Sequence, residues 1–329
     1  MPQRRPAPRT ILVTGGAGFI GSHVCTALVE KGHAVRCFDS FATGKRENIA
    51  HLDGRKGFTL VTGDIRQGVD VAKAVHGMDM IVHLAALGSV PRSIADPLAS
   101  EAANLTGFLN VLEACRVNGI ERLVYASSSS VYGDSQASPK REGMEGNPLS
   151  PYAVTKVMDE AYAALYQRLF GVRSIGLRFF NVFGERQDPE GPYAAAIPRF
   201  IKSLLRHQRP LVYGDGEQTR DFTYVGNAVH AVEVACDCSD PRAIGEVFNI
   251  AVGASTSLND LLAMIRQRLE AIDPTAAGLE AEHHDERPGD VRNSLADITK
   301  ARELLGFEPA IDVAAGLDRA VPWYAAHWG

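Results

Sequence analysis

The run Thr14-Gly15-Gly16-Ala17-Gly18-Phe19-Ile20-Gly21, set directly behind the apolar stretch ILV, constrains this chain more than any other feature. It holds G-x-G-x-x-G at Gly16, Gly18 and Gly21, after a strand pattern and before a helical one. The early glycines permit a tight strand-to-helix turn, Gly18 lets backbone approach a pyrophosphate, and Gly21 lets helix and strand pack closely. Phosphates then meet a helix N-terminus, where unpaired N–H groups and the helix dipole favour anions. Asp39 ends the next strand pattern about 20 residues on, where an acid can accept hydrogen bonds from a ribose 2′-OH and repel a 2′-phosphate. The pattern therefore favours NAD over NADP, although Arg36, Lys45 and Arg46 lie close in sequence.

Beyond that turn, short apolar runs alternate with helical stretches, the mark of βαβ units on a parallel sheet. Strands are expected at Thr10–Thr14, Ala34–Phe38, Phe58–Thr62, Met80–Leu84, Leu123–Ser127 and Ser174–Phe179, with helices at Phe19–Lys31 and Pro97–Val117. The second half mixes helices (Ile197–Arg206, Asn227–Ala235, Leu258–Ile272, Thr299–Leu305, Ala314–Ala326) with short strands at Pro210–Tyr213 and Glu246–Ile250. The expected fold is α/β: a Rossmann-type doubly wound parallel sheet with a smaller mixed C-terminal substrate lobe. Its expected division is a flexible tail over 1–9, a dinucleotide domain over 10–182 joined by later returning strands, and a second domain mainly over 183–329. A length of 329 residues fits two such lobes.

Composition narrows the partners. Lys+Arg 34 against Asp+Glu 39 gives a net charge of −5, which argues against phosphate-backbone binding and hence against a nucleic-acid partner. The opening MPQRRPAPRT has no apolar segment behind it that would make a signal peptide, and no stretch is long and apolar enough for a membrane helix. Five scattered cysteines fit reduced structural thiols. A cytoplasmic protein is expected, with neither membrane nor metal. His283-His284-Asp285-Glu286 has ligand-type residues, but adjacent side chains on an extended segment point opposite ways.

Two further segments carry chemistry. In Ser150-Pro151-Tyr152-Ala153-Val154-Thr155-Lys156, Ser150 can cap a helix with Pro151 at its first position, so Tyr152 and Lys156 share one helix face. A tyrosine at its ordinary pKa of about 10 is a poor base near neutrality, but a neighbouring ammonium favours the phenolate, which makes Tyr152 a proton acceptor for a hydroxyl. In Ser127-Ser128-Ser129-Ser130-Val131-Tyr132-Gly133, hydroxyls stand at a strand terminus, where open α/β sheets place their ligands. Any of Ser128, Ser129 and Ser130 could relay a proton; Ser128, four positions before Tyr132, is the choice.

With TGGAGFIG, Gly63–Ile65 (GDI), His83–Ala86 (HLAA), SSSVYG, YAVTK, Arg178–Gly184 (RFFNVFG), Tyr213–Phe222 (YGDGEQTRDF) and Arg287–Asp297 (RPGDVRNSLAD), the chain resembles the extended short-chain dehydrogenases/reductases, within the nucleotide-sugar epimerase and dehydratase group. The resemblance implies NAD contacts from Gly15, Gly18, Phe19, Ile20, Asp39, Asp64, Ile65, Leu84, Ala85, Ala86, Asn104, Tyr152, Lys156 and Phe180. It implies nucleotide-sugar contacts from Ser128, Ser129, Tyr152, Asn181, Tyr213, Arg220, Arg287 and Asp290. Catalysis would fall to Ser128, Tyr152 and Lys156, in a homodimer serving polysaccharide biosynthesis.

Dehydratases and decarboxylases of the group carry an acid in the loop after the Ser/Thr, and Ser128-Ser129-Ser130-Val131 has none. The resemblance therefore implies plain 4-epimerisation of a UDP-hexose. It is also similar to UDP-N-acetylglucosamine 4-epimerases through Ala86–Pro97 and Arg186–Phe200, with Gly88, Ser89, Ala195 and Phe200 lining the sugar pocket. Ser294 falls where a bulky Tyr restricts the group's members to unsubstituted hexoses. The pair expected is UDP-GlcNAc and UDP-GalNAc. The alternatives are UDP-glucose/UDP-galactose or a UDP-uronate, and, from another class, a non-catalytic NAD-binding regulator.

Overall fold

The computed structural model describes residues 7–120, 122–190, 194–285 and 292–328. Seven parallel strands form its main sheet, in the order β11-β6-β5-β4-β1-β2-β3. They are β1 (Thr10–Thr14), β2 (Ala34–Asp39), β3 (Phe58–Thr62), β4 (Met80–His83), β5 (Arg122–Ser128), β6 (Arg173–Phe179) and, from the second half of the chain, β11 (Val247–Ile250). The other strands pair in twos and threes: β7 (Val182–Phe183), β8 (Leu211–Tyr213), β9 (Thr219–Arg220), β10 (Thr223–Tyr224), β12 (Thr256–Ser257), β13 (Glu282–His284) and β14 (Asn293–Ser294).

Helices cover both faces, as parallel sheets require. In chain order they are α1 (Phe19–Glu30), α2 (Gly68–Val75), α3 (Val90–Ala95), α4 (Pro97–Glu101), α5 (Gly107–Asn118), α6 (Pro151–Phe170), α7 (Ala196–Leu205), α8 (Val225–Asp237), α9 (Leu258–Leu269), α10 (Pro274–Ala277), α11 (Thr299–Leu305) and α12 (Val313–Trp328). Ile11, Leu12, Val13, Ile81, Val82, Leu123 and Val124 are wholly buried between the helical layers, which is why these strands read as unbroken apolar runs. A second core of Phe200, Ile201, Leu204, Leu261, Ile265, Leu317 and Tyr324 lies among α7, α9 and α12. Strand order reverses between β1 and β4, and a doubly wound sheet opens its ligand crevice at the carboxyl ends of such strands.

The expected strands and helices recur with ends displaced by a few residues, and one expectation fails. Pro97–Val117 is not one helix, because a π-turn over Ala102–Thr106 separates α4 from α5. It buries Asn104, whose Oδ1 accepts from Leu87 N at 2.7 Å and whose Nδ2 donates to Thr155 Oγ1 at 3.3 Å. A polar tie between the loop after β4 and the helix carrying Tyr152 is thus gained where the helix gives up its regular turn.

Candidate active site

A cavity of about 520 Å³ opens at the switch point. Gly15, Gly18, Phe19, Ile20, Asp39, Asp64, Ile65, Leu84, Ala85, Ala86, Gly88, Ser89, Ser128, Tyr152, Lys156 and Asn181 line it. The glycine turn fits a pyrophosphate on local grounds. A Cβ at Gly21 would lie 2.0 Å from Gly15 O, and one at Gly15, where φ is +69°, would lie 2.7 Å from the Ala85 backbone. Side chains there would push α1 and the loop after β4 off β1 and destroy the cradle.

Asp39 is buried and ties the cradle together, accepting from Ala17 N at 2.9 Å and Phe41 N at 2.8 Å. The three cations close to it in sequence are turned to other work. Arg36 donates to Ala74 O and His76 O, Arg46 pairs with Asp53, and Lys45 pairs with Asp188. With all three cations paired to protein groups beside a buried carboxylate, the cradle and Asp39 fit NAD. Asp64 pairs with Arg66, which also lines the cavity, and that guanidinium holds its carboxyl below the usual range.

At the reacting end, Ser150 Oγ accepts from Ala153 N at 3.1 Å and Pro151 opens α6, which fixes where Tyr152 leaves the helix. Lys156 follows one turn on, its ammonium donating to Ala126 O at 3.0 Å and to Asp159 Oδ2 at 3.0 Å. Burial alone would draw this lysine down, but Asp159 and Tyr152 outweigh it and the pKa rises. Burial in turn lifts Asp159 to about 6. Of the four serines, Ser127 and Ser128 line the cavity, and Ser127 is committed to Glu160 Oε1 at 2.5 Å. Ser128 Oγ accepts from Ser130 N at 3.1 Å and so caps the turn that follows. Burial drives His83, beneath the cavity floor, down to about 3, so it is neutral and shares a hydrogen bond with Thr14 Oγ1 at 2.8 Å.

A second pocket of about 270 Å³ adjoins the first through Asn181 and Val182. Ala195, Phe200, Tyr213 and Arg220 line it, with Pro91 from the first turn of α3. Asn181 Nδ2 donates to Asp221 O at 3.1 Å, and the Asp221 carboxylate accepts from Val252 N, Gly253 N and Ala296 N. One buried acid therefore holds the junction of the two pockets.

Several expected residues stand elsewhere. Phe180 is wholly buried against Val131 and Tyr132, and its neighbours Phe179 and Asn181 face the cavity instead. Asn104 works behind the wall through Leu87 and Thr155, as described above. Ser129 does not line either pocket. Ser294 lies one layer back, paired in β14 with Arg220 of β9. Arg287 and Asp290 fall outside the described residues. Sequence reasoning passed over Gln187, whose side chain lines the first cavity and donates to Val182 O at 3.1 Å. It also passed over Asp159, which carried a legible signal in its spacing of i+7 from Tyr152 and i+3 from Lys156 on one helix face.

Comparison with known proteins agrees with this geometry. The NAD dependent epimerase/dehydratase family matches over residues 11–251. A putative UDP-glucose 4-epimerase of Methanocaldococcus jannaschii is 38% identical over 315 residues, covering 95% of this chain and 97% of the relative. The structure of a UDP-N-acetylglucosamine 4-epimerase from Methanobrevibacter ruminantium, in complex with UDP-N-acetylmuramic acid, superposes with a TM-score of 0.90 at 36% identity, covering 97% of this chain and 99% of that one. A UDP-glucuronic acid 4-epimerase from Bacillus cereus, solved with UDP-glucuronic acid and NAD, gives 0.87 at 33% identity, covering 97% and 99%.

Proposed function

The chain belongs to the NAD-dependent epimerase/dehydratase family; it is an NAD-dependent UDP-sugar 4-epimerase, an isomerase, and we propose that the pair it interconverts is UDP-N-acetylglucosamine and UDP-N-acetylgalactosamine. NAD, bound in the glycine cradle, supplies the hydride acceptor and donor for sugar C4. Tyr152 would take the 4-OH proton from oxygen while the separate hydrogen on C4 leaves as hydride, with Ser128 beside the same oxygen. Lys156, fixed by Ala126 O and Asp159, favours the phenolate that accepts the proton. Tyr152 would return the proton to oxygen as C4 of the 4-keto sugar regains a hydride on its opposite face, so no net redox change would result.

The UDP-sugar would run from the first cavity past Asn181 into the second pocket, with Ala195 and Phe200 toward the sugar and Tyr213 and Arg220 toward the nucleotide. A diphosphate calls for a guanidinium such as Arg220. Arg287 and Asp290 are proposed on sequence grounds alone to close the same site. We further propose, on the resemblance, a homodimer in the cytoplasm; sedimentation equilibrium tests the dimer, and cell fractionation the location.

The observation that carries the sugar reading is Ser294, a small residue one layer behind the second pocket, paired in β14 with the Arg220 of β9 that lines it. Small Ala195 in the pocket wall supports it, as does the similarity to an enzyme acting on UDP-N-acetylglucosamine. The test is kcat/KM on acetylated hexoses, plain hexoses and uronates. The reading expects the acetylated pair to lead by at least about tenfold and Ser294→Tyr to remove most of that lead. A lead for UDP-glucose or UDP-glucuronic acid, or equal loss on all sugars in Ser294→Tyr, contradicts it.

A further inference from the structure

Lys156 is only 2% exposed and Asp159 is wholly buried, so the two sit as an ion pair in the interior, one helical turn apart on the helix that carries Tyr152. An ammonium taken out of water needs a counter-charge and well-placed acceptors. Ala126 O and Asp159 Oδ2, each 3.0 Å away, use two of its three N–H bonds. The third is left for the cavity that Lys156 lines. Asp159 Oδ1 is buried without a hydrogen-bond partner among the described residues, a costly arrangement to keep for packing alone.

The other charges nearby are already matched. Glu160, the next residue on α6, meets Arg178 of β6 at 2.7 Å, and Arg178 also pairs with Glu145. His83 of β4 is neutral, as is the buried Tyr125 of β5, whose ionisation burial opposes. Asp159 is thus the carboxylate bonded to the Lys156 ammonium.

We propose that Asp159 is a positioning residue of the reaction: its carboxylate aims Lys156 into the cavity and keeps the buried ammonium charged, which sets the pH at which Tyr152 gives up its proton. The inference rests on the assignment of Tyr152 and Lys156 above. It also fits the raised pKa of both partners, since the pair keeps the lysine charged while burial resists the carboxylate.

The test is Asp159→Asn, which keeps shape and an acceptor oxygen but removes the charge. With no carboxylate to hold the buried ammonium charged, the rising acidic limb of the kcat/KM profile moves to higher pH by about one unit. The phenolate absorbance of Tyr152, read in NAD-loaded protein without substrate as the difference from Tyr152→Phe, moves the same way. A limb and absorbance unmoved from wild type overturn the proposal, whatever happens to melting temperature. Should the Asn variant not fold, Asp159→Glu keeps the charge on a longer arm. It is expected to retain the wild-type limb while kcat falls at least tenfold, and an unchanged kcat overturns the proposal. The absorbance needs no turnover, so a protein that epimerises nothing yet shows the shift loses only the functional reading.

Discussion

At the scale of single residues, the site depends on polar groups held inside the protein at a cost. His83 is neutral in the fold, with a pKa driven to about 3 by burial, while in the unfolded chain it titrates near 6.5. Below pH 6.5 the unfolded chain binds the extra proton, so this contribution is complete above that pH and is lost as pH falls toward 3. The slope is about 1.4 kcal/mol per pH unit. Stability measured by denaturant between pH 4 and 6 should fall less steeply in His83→Asn by about that amount, and parallel slopes would refute the assignment. Asp39 makes a different demand. Asp39→Ala removes the acceptor of Ala17 N and Phe41 N along with the 2′-OH partner, so NAD affinity should drop at least tenfold by calorimetry. NADP should not take its place, because Arg36, Lys45 and Arg46 are engaged elsewhere.

At the scale of elements, the glycine turn and the start of α6 are the two joints that set cofactor against base. Gly21→Ala puts a methyl 2.0 Å from Gly15 O, a backbone contact that cannot be relieved by a rotamer change. Overpacking of this kind costs about 1–3 kcal/mol, and here it also separates α1 from β1. Thermal unfolding and NAD titration should both report the loss, and wild-type binding would show the close packing to be dispensable. Ser150→Ala removes a cap worth about 1 kcal/mol from the helix turn that carries Tyr152. We expect kcat to fall more than KM rises, since the base loses its placement and the nucleotide pocket does not. The sequence showed both joints because each uses local chemistry: glycines at a strand-to-helix turn, and Ser-Pro at a helix start. It did not show the π-turn over Ala102–Thr106, whose cause is tertiary, namely the buried ties of Asn104 to Leu87 and Thr155.

At the scale of the whole molecule, the parallel sheet was legible because strands buried on both faces read as continuous apolar runs. The return of β11 to that sheet was expected only as strands joining late. The substrate side was less readable. Its strands are two or three residues long, and the residues that shape the second pocket come from separated segments brought together by α7, α9 and Asp221. Motif resemblance singled out Tyr213 and Arg220, which line that pocket, and Phe180, whose side chain is buried behind the wall formed by Phe179 and Asn181. A backbone contact and a side-chain contact look alike in a motif, whereas burial separates them.

The central claim is that Tyr152, held on α6 beside Lys156, moves the proton during inversion at C4. The most direct measurement follows UDP-N-acetylglucosamine by NMR with purified, NAD-loaded wild type and Tyr152→Phe. The account predicts interconversion at C4 by wild type and a fall of about 10²–10⁴-fold in the variant, with NAD still bound. Epimerisation by Tyr152→Phe at the wild-type rate would contradict it.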